Sequence, residues 1–158
     1  NRGHLFYSQQ RVGKDGVVFE ILKYRTMVKN AESDGAVFTA ANDSRVTAFG
    51  KFMRKTRMDE FPQFINILKG DMAVIGPRPE RPIFVKEIAE IMPFYETRHI
   101  IKPGLTGWAQ VNYSYGETID DSLIKLQYDL YYIKHRSIYL DMNIAFKTIT
   151  TILFYRGQ

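Results

Sequence analysis

Four residues between Gly76 and Pro82 limit the backbone more than any other stretch of this chain: Gly76, Pro77, Pro79 and Pro82. Each proline locks its own φ, lacks an amide hydrogen and pushes the residue before it out of the α region. Residues 71–82 therefore read as a stiff loop. A second rigid turn region, Lys102-Pro103-Gly104 with Thr106-Gly107, surrounds the approach to Trp108. Regular elements have to be sought between and beside these two segments.

Residues 4–27 read as a β-hairpin. His4–Ser8 and Val17–Leu22 are strand-like, and Gly13-Lys14-Asp15-Gly16 between them is turn chemistry. Residues 28–43 are polar and irregular, a loop. From Arg45 to Arg57 the pattern turns helical, with Val46, Phe49, Phe52 and Met53 on one arc and Lys51, Arg54 and Lys55 on another. Phe61, Phe64, Ile65 and Leu68 stripe a second helix over 61–68, closed by Lys69-Gly70 with a cation and a glycine. Phe84 to Met92 reads as a short helix, and Leu123, Leu126, Leu130 and Ile133 stripe a longer one. In the tail, Ile138 to Phe154, one arc holds Ile138, Met142, Ala145, Phe146, Ile149, Ile152 and Leu153, with Asp141, Asn143, Lys147 and Thr151 elsewhere. Such an arc suits a protein core or a membrane interface. The expected fold class is α+β, mainly helical: a small N-terminal β-hairpin packed on helices, in a single domain over 1–158.

Charge narrows the partners. The 22 Lys and Arg exceed the 17 Asp and Glu, a net charge of +5, which favours nucleotides, phospholipid headgroups or nucleic acid without choosing among them. The lack of cysteine excludes a disulfide scaffold and thiolate metal sites. No apolar run is long enough to span a bilayer. The opening Asn1-Arg2-Gly3-His4 has neither a start methionine nor a signal peptide, and reads as part of something longer.

Asp59-Glu60 admits two readings. Thr56-x-x-Asp59 fits a capping box and Pro62 suits a first turn, so the acids can simply complement a helix start. Alternatively, the cationic segment Lys51–Arg57 and the nearby Arg78 keep both carboxylates ionised. An ionised aspartate can attack phosphorus, a neighbouring carboxylate can hold Mg²⁺ with phosphate oxygens, and a helix N-terminus binds phosphate. Arg78 between Pro77 and Pro79 is likewise either a solvated turn residue or a guanidinium pre-set for phosphate.

Several segments together resemble one family, in order along nearly the whole chain. They are Gln10–Gly13, Lys23-Tyr24-Arg25-Thr26-Met27, Arg54–Gln63 around Asp59-Glu60-Phe61-Pro62-Gln63, Leu68–Met72, Gly76–Glu80 and Lys102–Asn112. They are similar to the bacterial sugar transferases, the monotopic phosphoglycosyl transferases. The tail from Leu126-Gln127-Tyr128-Asp129 through Tyr155-Arg156-Gly157 resembles the exopolysaccharide branch, whose members carry a further membrane region upstream.

The resemblance implies a two-step reaction. Asp59 attacks the β-phosphorus of a UDP-sugar and expels UMP, and polyprenyl phosphate then takes the phosphosugar from the aspartate. Glu60 helps Asp59 hold Mg²⁺, while Arg78 in its Pro77/Pro79 setting, Lys23 and Arg54 bind and neutralise phosphates. It implies a location on the cytoplasmic face of the bacterial inner membrane and a membrane helix ahead of Asn1 that enters and leaves on that face. It also moves the reading of the tail toward an interfacial helix. A homo-oligomer is compatible with all of this. One departure stands out: many relatives carry an arginine soon after Trp-Ala-Gln-Val-Asn, where this chain has Tyr113-Ser114-Tyr115-Gly116. Two rivals differ in class. A nucleic-acid module would place aromatics beside Lys and Arg as a stacking platform, whereas the ten Tyr and eleven Phe here follow core periodicity, so no nucleic acid is expected. A Mg²⁺-dependent phosphohydrolase would use the same Asp-Glu pair to deliver the phosphosugar to water.

Overall fold

The computed structural model describes residues 5–29, 31, 43–113 and 119–153. Most of the expected loop over 28–43 lies outside them, as does Phe154. Strands β1 (Phe6–Val12) and β2 (Val18–Tyr24) form the expected hairpin, paired antiparallel from Phe6↔Tyr24 to Val12↔Val18. A single 3₁₀ turn, Lys14–Gly16, joins them with Asp15 and Gly16 at φ 55° and 77°. Left-handed residues give that turn the twist of the strands it connects. β1 reaches beyond the expected Ser8 because backbone pairing with β2, rather than apolar alternation, carries Gln9, Gln10 and Arg11 along.

Helix α1 (Ala48–Lys55) starts later than Arg45, since Val46 bridges Met27 and Thr47 Oγ1 accepts from Gly50 N at 3.0 Å as the N-cap. Gly50 is required here: a Cβ would lie 2.1 Å from the Thr26 carbonyl oxygen. Helix α2 (Gln63–Lys69) ends as expected on Gly70 at φ 87°. It docks through Asn66, whose Nδ2 donates to Glu20 O at 2.7 Å while its Oδ1 accepts from Leu22 N at 3.0 Å. One side-chain amide thereby satisfies the outer edge of β2.

Most of the apolar residues striping these two segments face outward. α1 buries Gly50 and Met53, and α2 buries Gln63 and Asn66. Phe49, Phe52, Phe61, Phe64, Ile65 and Leu68 are exposed, Leu68 at 88%. Periodicity identifies an apolar face without saying what it meets, and α2 packs on a polar strand edge. The expectation that the phenylalanines follow core periodicity is therefore corrected for these positions.

Two short parallel strands, β3 (Ala73–Ile75) and β4 (Gly104–Thr106), occupy segments read from sequence as loops. Three residues are too few to show alternation. Their loops approach so closely that a Cβ on Gly104 would fall 2.1 Å from Gly76 N. Helix α3 (Pro82–Ile91) opens on its proline, and the short α4 (Trp108–Asn112) follows β4. The longer α5 (Ile119–His135) and α6 (Ile138–Leu153) complete the described chain. One core cluster joins Val12, Val85, Met92, Tyr95 and Leu126, and another joins Tyr132, Leu140 and Ile144 with Ile75, Trp108 and Val111 against them. The tail arc also faces out: Ile138, Met142, Phe146 and Ile149 are exposed while Leu140 and Ile144 face the core. No described helix is long and apolar enough to cross a membrane. The observed class is the expected one, helices with a small hairpin.

Candidate active site

Asp59 and Glu60 lie in a 3₁₀ turn, Met58–Glu60, between α1 and α2. The capping expectation is corrected on both sides. Thr56 Oγ1 donates back to Phe52 O and Met53 O at 3.0 and 3.1 Å, closing α1, and no side chain caps the turn or α2. Arg57 before the pair takes a left-handed φ of 56°. Both carboxylates are buried, each 7% exposed. Both acids lie in the first turn of the 3₁₀ helix without capping it through a side-chain hydrogen bond, so capping alone does not explain why they are buried here.

Glu60 is the charged centre of the site. Its Oε1 accepts from Arg78 Nη2 at 2.8 Å and from Lys23 Nζ at 3.4 Å, with Arg57 Nη1 3.8 Å away. Burial pushes the Glu60 carboxyl up, but Arg78, Lys23 and Arg57 outweigh it, and its pKa falls below the ordinary carboxylate value. Burial lowers Lys23 to about 8, against the pull of Glu60. Asp59 goes the other way: burial and the Glu60 charge raise its carboxyl pKa, against Lys23, Arg54 and Arg57. The expectation that neighbouring cations hold both acids in the anionic form thus describes Glu60 better than Asp59. Environments that separate the titrations of two adjacent acids give them different roles.

The structure brings Lys23 from β2, Arg78 from the Pro77/Pro79 loop and the Asp59-Glu60 turn together. Pro77 and Pro79 are both buried. Arg54 is turned aside, its Nε donating to Thr26 Oγ1 at 2.9 Å, and it acts on Asp59 as a nearby charge. Arg57 was not singled out from sequence, although its place beside the acids was the available signal. Nor were Arg98 and Asp129, a buried ion pair at 2.7 Å between segments far apart in the chain.

Asp59 Oδ1 is buried without a hydrogen-bond partner. Such an oxygen is expensive to bury unless something else approaches it. No group of three or more His, Cys, Asp or Glu among the described residues is arranged to hold a metal ion. Two carboxylates are nonetheless what Mg²⁺ takes when phosphate oxygens complete its shell, so Asp59 and Glu60 fit that ion. Lys23, Arg54, Arg57 and Arg78 around the two acids leave positive charge in excess. A buried carboxylate in an electropositive site is placed where a polyanionic phosphate group would be held.

The known proteins most relevant here are sugar-phosphate transferases. The sequence model described as "Bacterial sugar transferase" matches residues 1–155. A UDP-N-acetylgalactosamine-undecaprenyl-phosphate N-acetylgalactosaminephosphotransferase of Aeromonas hydrophila is 52% identical over 151 residues, 96% of this chain and 36% of its own. A UDP-glucose:undecaprenyl-phosphate glucose-1-phosphate transferase of Escherichia coli (strain K12) is 42% identical over 152 residues, 93% of this chain and 32% of its own. An uncharacterized sugar transferase of Bacillus subtilis (strain 168) is 34% identical over 157 residues, 97% of this chain and 72% of its own. The chain thus spans about a third of the first two relatives. With the family sequence model matched from residue 1 to 155 and relatives this similar across nearly its whole length, the chain belongs to the bacterial sugar transferase family.

Proposed function

We propose that residues 1–158 form the catalytic domain of an enzyme that transfers a hexose-1-phosphate from a UDP-sugar to polyprenyl phosphate, releasing UMP. The observation that carries this reading is Asp59 Oδ1, buried and unpartnered beside a glutamate already held by Arg78 and Lys23. The activities for which the Aeromonas and Escherichia relatives are named support the same donor and acceptor classes.

In this mechanism Asp59 attacks the β-phosphorus of the UDP-sugar. A bond forms from its carboxylate oxygen to phosphorus, the bond to the bridging oxygen breaks, and UMP leaves with that electron pair. A polyprenyl phosphate oxygen then attacks the same phosphorus, and Asp59 departs as a carboxylate. Glu60 stays anionic and fixes Arg78, Lys23 and Arg57 around the reacting phosphates. Each of these cations has more donors than the one it gives to Glu60. Arg54 adds positive charge that acts on Asp59. Asp59 and Glu60 would hold Mg²⁺, which would supply charge neutralisation for the phosphates when bound. Because charge is redistributed over the attacking, leaving and equatorial oxygens as the phosphoryl group moves, positioning and electrostatics do most of the work.

The lipid acceptor places the reaction at a bilayer, on the cytoplasmic face of the bacterial inner membrane. The outward arcs of α1, α2 and α6 support that placement, since exposed apolar patches of this kind mark interaction surfaces. The test is isotope exchange with the complete, membrane-anchored protein and no lipid. Labelled UMP mixed with unlabelled UDP-N-acetylgalactosamine or UDP-glucose and Mg²⁺ should yield labelled UDP-sugar. If an enzyme that transfers normally with lipid shows no exchange without it, the covalent route is wrong and Asp59 is a metal ligand or base.

A further inference from the structure

Four consecutive carbonyl oxygens, those of Pro77, Arg78, Pro79 and Glu80, each accept a hydrogen bond from a different donor. Gly104 N reaches Pro77 O and Val12 N reaches Glu80 O, both at 2.9 Å. The two central oxygens are taken by guanidinium groups. Arg98 Nη2 donates to Arg78 O at 2.8 Å, and Arg11 Nη1 donates to Pro79 O at 3.0 Å. Neither guanidinium is loosely placed. Arg98 is buried and also donates to Asp129 Oδ2 on α5 and to the Tyr95 hydroxyl, each at 2.7 Å. Arg11, on β1, donates through Nη2 to Gln9 Oε1 at 2.6 Å and pairs with Glu80 at 3.4 Å.

The prolines cannot fix this loop unaided. A proline ring sets its own φ and keeps the residue before it extended, but it leaves its own ψ open and allows the preceding ψ a range of some tens of degrees, so the carbonyl directions are not fully set. Holding the Arg78 and Pro79 carbonyls fixes ψ of both residues, the backbone just C-terminal to the Arg78 side chain, while Gly104 N holds the Pro77 carbonyl on its N-terminal side. That side chain must reach Glu60 at 2.8 Å. An ion pair as deeply buried as Arg98–Asp129 is weak evidence for stability as such, since desolvation offsets much of its attraction. A backbone carbonyl beside a phosphate-binding residue gives it a second use.

We propose that Arg11 and Arg98 are positioning residues for Arg78, acting through the loop backbone, and that Asp129 orients Arg98 for this. The proposal rests on the reading of Arg78 as a phosphate-binding residue. Arg98→Lys and Arg11→Lys keep the charge but lose the planar fork. In the complete membrane-anchored enzyme, kcat/KM is measured by UMP release with undecaprenyl phosphate and whichever of UDP-N-acetylgalactosamine and UDP-glucose is turned over. Each variant is made alone and in an Arg78→Ala background, with melting temperature followed throughout.

A displaced Arg78 predicts a loss of about 100-fold for Arg98→Lys alone. In the Arg78→Ala background the same change should cost less than about threefold, because nothing is left to position. Equal losses in both backgrounds, or no loss in either, overturn the proposal and leave Arg98–Asp129 a structural pair. Should Arg98→Lys fail to fold, Arg11→Lys, on a half-buried side chain, decides by the same comparison. Wild-type kcat/KM in Arg78→Ala itself removes the phosphate-binding reading and the proposal with it.

Discussion

Asp59→Asn should abolish turnover and keep the fold. The amide preserves shape but cannot form the acyl phosphate, and loss of a covalent nucleophile costs on the order of 10⁴-fold in kcat. Stability should hold or rise slightly, since a buried acid without a partner is removed. UMP release and a melting curve on the same preparation check both halves, and near-normal release by the folded variant would refute the assignment. His99 offers a pH prediction at the same scale. Burial, with Arg98 beside it, lowers its pKa from 6.5 to about 4, and its ring meets Tyr95 edge-on. Between those values the unfolded chain takes up a proton that the folded chain refuses. Its contribution is therefore complete above about pH 6.5 and lost as pH falls toward 4. His99→Gln should flatten the dependence of melting temperature on pH across that window; an unchanged slope would assign the acid limb to other groups. Of the individual site residues, Asp59, Glu60, Lys23 and Arg78 were legible because their neighbours in sequence carry the motifs. Arg98 and Asp129 were not, being 31 residues apart with no spacing rule to join them.

Elements were legible where a periodic pattern ran long enough. The hairpin, α1, α2, α3, α5 and α6 all announced themselves, with ends shifted by a cap at Thr47, a bridge at Val46 or a proline at Pro82. β3 and β4 were hidden, because three residues beside glycine and proline look like loop. Direction was the other thing missing: core periodicity was read into phenylalanines that face outward on α1 and α2. In α6 the two sides of the helix can be separated by experiment. Phe146→Glu with Ile149→Glu alters only exposed positions, and should weaken flotation on anionic liposomes with little change in melting temperature. Ile144→Ala, fully buried in the second cluster, should instead destabilise by about 2–5 kcal/mol and leave flotation of the folded protein alone. Identical flotation of wild type and the double variant would return that arc to a protein contact.

At the scale of the whole molecule, the site is a junction of distant segments: β2 supplies Lys23, the turn before α2 supplies the acids, and the loop after β3 supplies Arg78. Such a junction works only as a unit. If it runs two half-reactions through one aspartate, initial rates with varied UDP-sugar and polyprenyl phosphate should give ping-pong patterns, and chelation of Mg²⁺ should stop UMP–UDP-sugar exchange as completely as Asp59→Asn does. Intersecting, sequential patterns would point to a single displacement instead.

Arg57 turns left-handed just ahead of the two acids, at φ 56°. A glycine would hold that conformation freely, while a residue with a Cβ gives up about 1–2 kcal/mol to hold it. In exchange the turn gains a guanidinium 3.8 Å from Glu60. If Arg57 serves the phosphates as proposed, heat resistance and turnover therefore select in opposite directions at this one position. Lineages under thermal pressure would drift there toward glycine or asparagine and surrender a cation, whereas lineages limited by flux would keep the strained arginine.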